Sequence, residues 1–388
     1  IQGGQIDENG NAAFEWEGIH GSPIEFGYRN KMEFSFGDEV KDGPLSLGLH
    51  KKGSTYDILN TDDCKLVHKD MTDILTCVRE FFREKGASYY RKLQHTGYLR
   101  HLMLRRGVTS GEILVHLVTT TQEEYDLEPL KDQLLALPLE GRIVGIMHIL
   151  NDSLSDVVQS DETRILYGQD YFYETLLGLK FRISTFSFFQ PNSLAAEVLY
   201  NIVRDYIQNT SGMEVFDLYS GTGTIAQLLA PVAKEVIGVE IVEDAVAAAR
   251  ENAKLNGLEN MVSFRCADVF ELLPELEAQG EKYDVVILDP PAFTKSRNSI
   301  KNAVKGYREI NLRGLKLVKD GGFLVTCSCS HFMDPELFAK TIREASHGAH
   351  KRLRQVEFKT QGPDHPILWA ADESYYLKFY IFQVVDEK

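Results

Sequence analysis

Two cysteines set two residues apart, in Thr326-Cys327-Ser328-Cys329, close an apolar run that begins at Gly322-Phe323-Leu324-Val325. An aspartate, Asp289, closes an earlier apolar run, Tyr283-Asp284-Val285-Val286-Ile287-Leu288. Side chains two apart on a strand share one face. A thiol becomes a nucleophile once ionised, and a carboxylate at a neighbouring strand end can hydrogen-bond a substrate or orient a second ligand. Cys329 lies nearer the carboxyl end of its strand, where ligands gather in open α/β sheets. It is the expected nucleophile, with Cys327 as a supporting or alternative thiol. The competing view is a pair of small apolar side chains in a core strand, with Asp289 capping the loop that follows.

A third segment, Phe216-Asp217-Leu218-Tyr219-Ser220-Gly221-Thr222-Gly223, has the form of a strand, a glycine turn and a helix start. Glycines there let backbone approach a ligand without a Cβ in the way. Glu240 ends the next strand, about twenty residues on, where an acid can take both ribose hydroxyls. Asp268 follows the third strand, placed to accept from an adenine amino group. Gly221 to Ala226 also fits the G-x-G-x-x-A pattern of dinucleotide sites, so the glycines alone do not decide between cofactors. Three neighbours favour S-adenosylmethionine: Asp217 ahead of the glycines, Asp268 after strand three, and Asp289-Pro290-Pro291 after strand four. Ser220, Gly221 and Gly223 would line that cofactor together with Asp217.

A nucleoside sulfonium beside a thiol and an acid suggests one chemistry. Pyrimidines are poor nucleophiles at C5. A thiolate that adds to C6 makes C5 enolate- or enamine-like, able to take a methyl group, after which a base removes the C5 proton and the thiol leaves.

Two regions must position these groups. From Phe26 to about Thr121, short β-like runs (Lys31–Phe36, Leu45–Leu49, Glu112–Val118) alternate with turns. Met71, Ile74, Leu75, Val78, Phe81 and Phe82 repeat at helical spacing. A helix near Glu128–Leu137 and a strand near Val144–Ile149 follow, giving an α+β domain over about 19–185. From about 186 to 388, apolar strands alternate with amphipathic helices, the pattern of a parallel, doubly wound α/β sheet. Residues 1–18 carry little pattern and read as a tail, the fragment end of a longer N-terminus.

The chain has 388 residues with 43% hydrophobic and 26% charged, as in soluble globular proteins. No run is long and apolar enough to span a bilayer, and no signal segment opens the chain. Five scattered cysteines argue against a disulfide framework and for the cytoplasm. A net charge of −15 is the wrong sign for wholesale nucleic-acid binding, but local patches count for more than the total. Tyr28, Arg29 and Lys31, then Lys51 and Lys52, then Arg91, Lys92, Arg100, His101, Arg105 and Arg106 form cation clusters, with Tyr89, Tyr90 and Tyr98 between them. They are candidates for phosphate contact and base stacking; a solvated basic face is the alternative. The target base would have to be unpaired or flipped to reach a thiol.

These residues resemble the S-adenosylmethionine-dependent RNA uracil-5-methyltransferase family over about Phe26 to Asp289. The resemblance is carried by Tyr28-Arg29-Asn30-Lys31, Arg100-His101-Leu102 and Phe188-Phe189-Gln190-Pro191-Asn192. It continues through Asp217–Gly223, Glu240 and Asn252-Ala253-Lys254-Leu255-Asn256-Gly257. It implies a Rossmann-like class I methyltransferase domain behind an α+β RNA-binding domain, with Gln190, Tyr219, Glu240 and Asp289 lining the site. The implied substrate is structured RNA, ribosomal RNA foremost, with no DNA and no membrane. After Asp289 the pattern departs. That family follows its strand-four Asp-Pro with arginine and ends on a glutamate base near a histidine. Here Gly306-Tyr307-Arg308-Glu309-Ile310-Asn311, Thr326–His331 and Asp364-His365-Pro366 resemble ribosomal RNA cytosine-5-methyltransferases, in which the second cysteine aligns with the nucleophile. Glu373 is the weak candidate for the base. Cys64 resembles the last ligand of the iron–sulfur cluster that many uracil-type members carry; one thiol cannot hold such a cluster, so no metal site is expected.

Overall fold

The computed structural model describes residues 21, 23–54, 56–155, 160–208, 212–294, 296–362, 367–368 and 374–387. The expected tail, Asp364-His365-Pro366 and Glu373 lie outside the described residues.

The N-terminal half contains β1 (Lys31–Asp38), β2 (Leu45–His50), β3 (Ile58–Asn60), α1 (Lys69–Lys85), β4 (Leu99–Arg106), β5 (Glu112–Thr119), α2 (Glu128–Leu135), β6 (Arg142–Leu150) and β7 (Glu162–Gly168). Its strands form one sheet in the order β3-β2-β1-β4-β5-β6-β7. Only β5 and β6 pair in parallel, because α2 carries the chain back between them. Helix α1 starts on His68, whose side chain accepts from the Asp70 amide, and stops at Gly86 in the left-handed region. Its stripe from Met71 to Phe82 packs under the sheet with Phe34, Leu47, Leu102 and Val115.

The hairpin of β8 (Tyr171–Leu176) and β9 (Leu179–Ser184) leads to α3 (Ser193–Gln208). Then come β10 (Glu214–Leu218), α4 (Thr224–Leu229), β11 (Glu235–Glu240), α5 (Glu243–Leu255), β12 (Val262–Cys266), α6 (Val269–Gln279) and β13 (Tyr283–Leu288). The chain finishes with α7 (Ile300–Leu317), β14 (Val318–Ser328), α8 (Pro335–Gly348), β15 (Lys351–Lys359) and β16 (Lys378–Asp386). Their sheet order is β12-β11-β10-β13-β14-β16-β15. Strands β10 to β14 run in parallel, while β16 is antiparallel to both its neighbours. Apolar clusters fill both faces, one around Val215, Ile287 and Phe264, the other around Phe216, Leu288 and Leu315. The order reverses between β10 and β13, so a crevice opens beyond their carboxyl ends.

Candidate active site

The turn after β10 is tight. Tyr219 has φ 66° and Gly221 and Gly223 also have positive φ. The Ser220 amide donates to Val239 O at 2.9 Å, and the Gly223 amide to Ser220 O at 2.8 Å. Gly223 is required by packing, since a Cβ there would lie 2.5 Å from Phe264 Cζ. Gly221 differs: nothing lies within 4 Å of its would-be Cβ, so its bare face borders open space. Glu240 braces the same turn. Its carboxylate accepts from the amides of Gly221 (3.0 Å), Ile241 (2.9 Å) and Val242 (3.0 Å). Asp268 caps α6 by accepting from the Phe270 amide at 2.7 Å.

Asp217 is wholly buried. Neither of its carboxyl oxygens has a well-formed hydrogen bond among the described residues, although the Ala226 amide approaches it. Burial, then the Asp289 charge, holds its acid well above the ordinary carboxylate range. Asp289 follows β13 and is half-buried. Burial pushes it up to about 6, against the pull of a hydrogen bond from the Cys327 thiol. Cys327 is buried and its thiol is driven well up by burial and by Asp289. Cys329 lies just past the end of β14 and is half-buried. Burial and the Asp289 charge raise its thiol, while the Tyr376 hydroxyl, donating to sulfur, and the Lys378 charge lower it. The loop after Asp289 is tied to the same strand end, since Ser330 Oγ donates to Thr294 O at 3.4 Å.

Gln190 reaches this group from the N-terminal side. Its side chain hydrogen-bonds the buried Tyr200 hydroxyl, which lies close enough to Asp289 and Asp217 to feel their charges. The loop carrying Gln190 is latched by Asn30, whose Nδ2 donates to Gln190 O at 2.7 Å and Ser193 Oγ at 2.8 Å. The Asn30 amide adds a bond to Pro191 O at 2.7 Å. Asn30 is thus the reason for the Tyr28–Lys31 segment, a role invisible without the fold.

The structure therefore gathers Gln190, Asp217, Tyr219, Ser220, Gly221, Gly223, Glu240, Asp268, Asp289, Cys327 and Cys329 along one edge of the sheet, at the carboxyl ends of β10 to β14 and on the α3 loop. Glu373 lies outside the described residues. The basic clusters need correction. Arg100, His101, Arg105 and Arg106 sit on β4 and are buried. Arg100 donates to the carbonyls of Asn151, Ser153 and Ser155, Arg105 to those of Ser184 and Ser187, and Arg106 to Asp70. Tyr28, Tyr90 and Tyr98 are buried as well. A buried guanidinium must be satisfied internally, so these residues tie loops to the sheet and offer no open basic face. Lys51, Lys52 and Arg91 are exposed.

Several site residues carried no signal in the chain. Ile241, Val242 and Phe270 are exposed apolar side chains beside Glu240 and Asp268. Phe293 lies 6.2 Å from Phe270, 6.4 Å from Tyr219 and 4.6 Å from Tyr307, making an aromatic wall. Lys378, the first residue of β16, and Tyr376, two residues ahead of it, join from the C-terminal end of the chain. A lysine opening an otherwise apolar strand was the one available cue.

The residues present suit S-adenosylmethionine. Asp217, Asp289 and Glu240 bring three acidic side chains to the strand ends, where a cationic cofactor would find hydrogen-bond partners. The Asp217 carboxyl, Tyr219 hydroxyl and Ser220 hydroxyl are buried polar groups with bonds still to make. The open face of Gly221 leaves room beside Glu240 for a ribose, and Ile241 and Phe270 offer flat apolar contact for a base.

Comparison with known proteins agrees. The family model for tRNA (uracil-5-)-methyltransferase matches residues 110–275, and a general methyltransferase domain model matches residues 209–375. An uncharacterized RNA methyltransferase of Clostridium tetani is 50% identical over 278 residues, covering 72% of this chain and 60% of that protein. Another, from Caldanaerobacter subterraneus subsp. tengcongensis, is 42% identical over 338 residues, covering 87% of this chain and 70% of that protein. The crystal structure of Pyrococcus abyssi tRNA (uracil-54, C5)-methyltransferase in complex with S-adenosyl-L-homocysteine superposes with a TM-score of 0.68 at 25% identity, over 93% of this chain and 77% of that one. The chain spans about 60% of the length of the C. tetani relative. Fold, cofactor cradle and relatives converge: the chain belongs to the family of S-adenosylmethionine-dependent RNA methyltransferases, and its residues 110–275 match the model of the tRNA (uracil-5-)-methyltransferases.

Proposed function

We propose that this protein methylates C5 of a pyrimidine in structured RNA, uridine foremost and ribosomal RNA as the substrate, through a covalent cysteine adduct at C6. The observation that carries the reading is the shared edge: a thiol just past β14, an acid just past β13, and the glycine turn after β10. When bound, S-adenosylmethionine supplies an electrophilic methyl group. Cys329, as thiolate, adds to C6 of the base, and the electron pair moved onto C5 takes up the methyl. Loss of the C5 proton to a base then expels the thiolate. Asp289 hydrogen-bonds the pyrimidine edge in this reading, as a donor in its protonated form. Gln190 and Tyr200 border the same space.

Cytosine is the second reading. It is favoured by the Thr326–His331 segment and by the end of the uracil-type family match at residue 275, ahead of Asp289 and both thiols. RNA carrying 5-fluoropyrimidines tests the covalent route, because fluorine at C5 blocks the elimination. A stable protein–RNA adduct is expected in the wild type and in Cys327→Ala, and none in Cys329→Ala. The reverse pattern would move the nucleophile to Cys327.

A further inference from the structure

Strand β16 opens on Lys378, paired with Ser328 of β14. Its side chain is fully buried. The ammonium donates to Ser330 O at 2.6 Å and Tyr376 O at 2.9 Å. Both acceptors are neutral carbonyls. Burying a charge against neutral partners alone is unfavourable, and burial pulls this amine down to about 8. The acidic groups that act to keep it charged are Cys329 first and Asp334 second. One of the lysine's carbonyl partners follows Cys329 in sequence, and the other belongs to Tyr376. The Tyr376 hydroxyl donates to the Cys329 sulfur, and its ring lies 5.2 Å from that of His331. A fully buried cation, bonded to the carbonyl of the residue after Cys329, and a hydroxyl donor to its sulfur thus meet at one strand end.

Resting on the assignment of Cys329 as nucleophile, we propose that Lys378 and Tyr376 are positioning residues that ease the ionisation of Cys329 to the attacking thiolate, the ammonium balancing its charge and the tyrosine hydroxyl donating to sulfur. In that ionisation the S–H bond breaks, its electron pair stays on sulfur, and the proton passes to water. The other groups facing the thiol work against it or lie close by: Asp289 beyond β13, Cys327 on β14 and Tyr307 on α7. The buried lysine offsets the acids that S-adenosylmethionine needs around it. Ammonium and thiolate then titrate as a coupled pair.

The test reads the thiol directly and needs no methyl transfer. The rate of alkylation at Cys329 by iodoacetamide is followed against pH by peptide mass spectrometry, in a Cys327→Ala background so that one thiol is read in the peptide. Relative to that parent, Lys378→Met is expected to raise the midpoint by about one pH unit or more. Lys378→Arg should keep the midpoint near the parent's, and Tyr376→Phe should give a smaller rise. An unchanged midpoint in folded Lys378→Met overturns the proposal. Should that variant not fold, an unchanged midpoint in Tyr376→Phe does so. Failure of the Cys329 assignment would be seen separately, as a 5-fluoropyrimidine adduct on Cys327 with the alkylation shifts intact.

Discussion

Asp289 meets opposing demands at the end of β13. It is packed among Tyr200, Asp217 and Cys327, where a carboxylate is poorly solvated, yet the site has use for its proton or its charge. Its acid is raised to about 6 from an ordinary 3.8. A group with a raised folded value binds more protons when folded. Its contribution to stability is full below its ordinary value and is lost as pH rises through about 6. Asp289→Asn removes that penalty, so chemical denaturation should show the variant about 1–2 kcal/mol more stable at pH 8, after allowance for partial exposure, and little changed at pH 4. The same variant should lose most of its methyl transfer. Equal stability of the two proteins at pH 8 would mean that Asp289 is well solvated. Glu240 presents the complementary case, a carboxylate held by the amides of Gly221, Ile241 and Val242. Glu240→Ala should weaken S-adenosylmethionine binding by about 1–3 kcal/mol, read by titration calorimetry, and unchanged affinity would remove Glu240 from the ribose.

At the scale of elements, the glycine turn separates packing from binding. Gly223 has φ 76° and would place a Cβ against Phe264 and Ala249. Gly223→Ala should therefore destabilise the fold by about 2–4 kcal/mol. Gly221 has φ 54° and open space beyond it. Gly221→Ala should lower stability by only about 1 kcal/mol while the added methyl intrudes on the cofactor. Thermal melts with and without S-adenosylmethionine distinguish the two, and equal destabilisation by both would contradict this division. The turn, strands β10 to β13 and helix α1 were legible in the chain because apolar spacing and glycine placement are local signals. Strand β4 was not: Leu99–Arg106 carries four basic side chains and resembles a surface run, yet its arginines turn inward and bond to Asp70 and to carbonyls of Asn151, Ser153, Ser155, Ser184 and Ser187. Strand β15 mixes charged residues into its pattern, and β16 acquires its place by pairing antiparallel with β14 and β15. Tyr376 and Lys378 went unread for that reason.

At the scale of the molecule, the N-terminal sheet and the doubly wound sheet meet through Asn30 and the Gln190 loop, so the α+β half helps to shape the site. No helix among the described residues is long and apolar enough to cross a membrane. The uracil-type family match ends at residue 275, whereas the two thiols and Lys378 come later, at the ends of β14 and β16. That division is why base identity is the open chemical question. It is answered by incubating the protein with unmodified ribosomal RNA and methyl-labelled S-adenosylmethionine, then digesting the RNA and separating its nucleosides by mass spectrometry. Label in 5-methyluridine is the expected result. Label in 5-methylcytidine would overturn the choice of uridine, and the absence of label from any pyrimidine would contradict C5 methyl transfer itself.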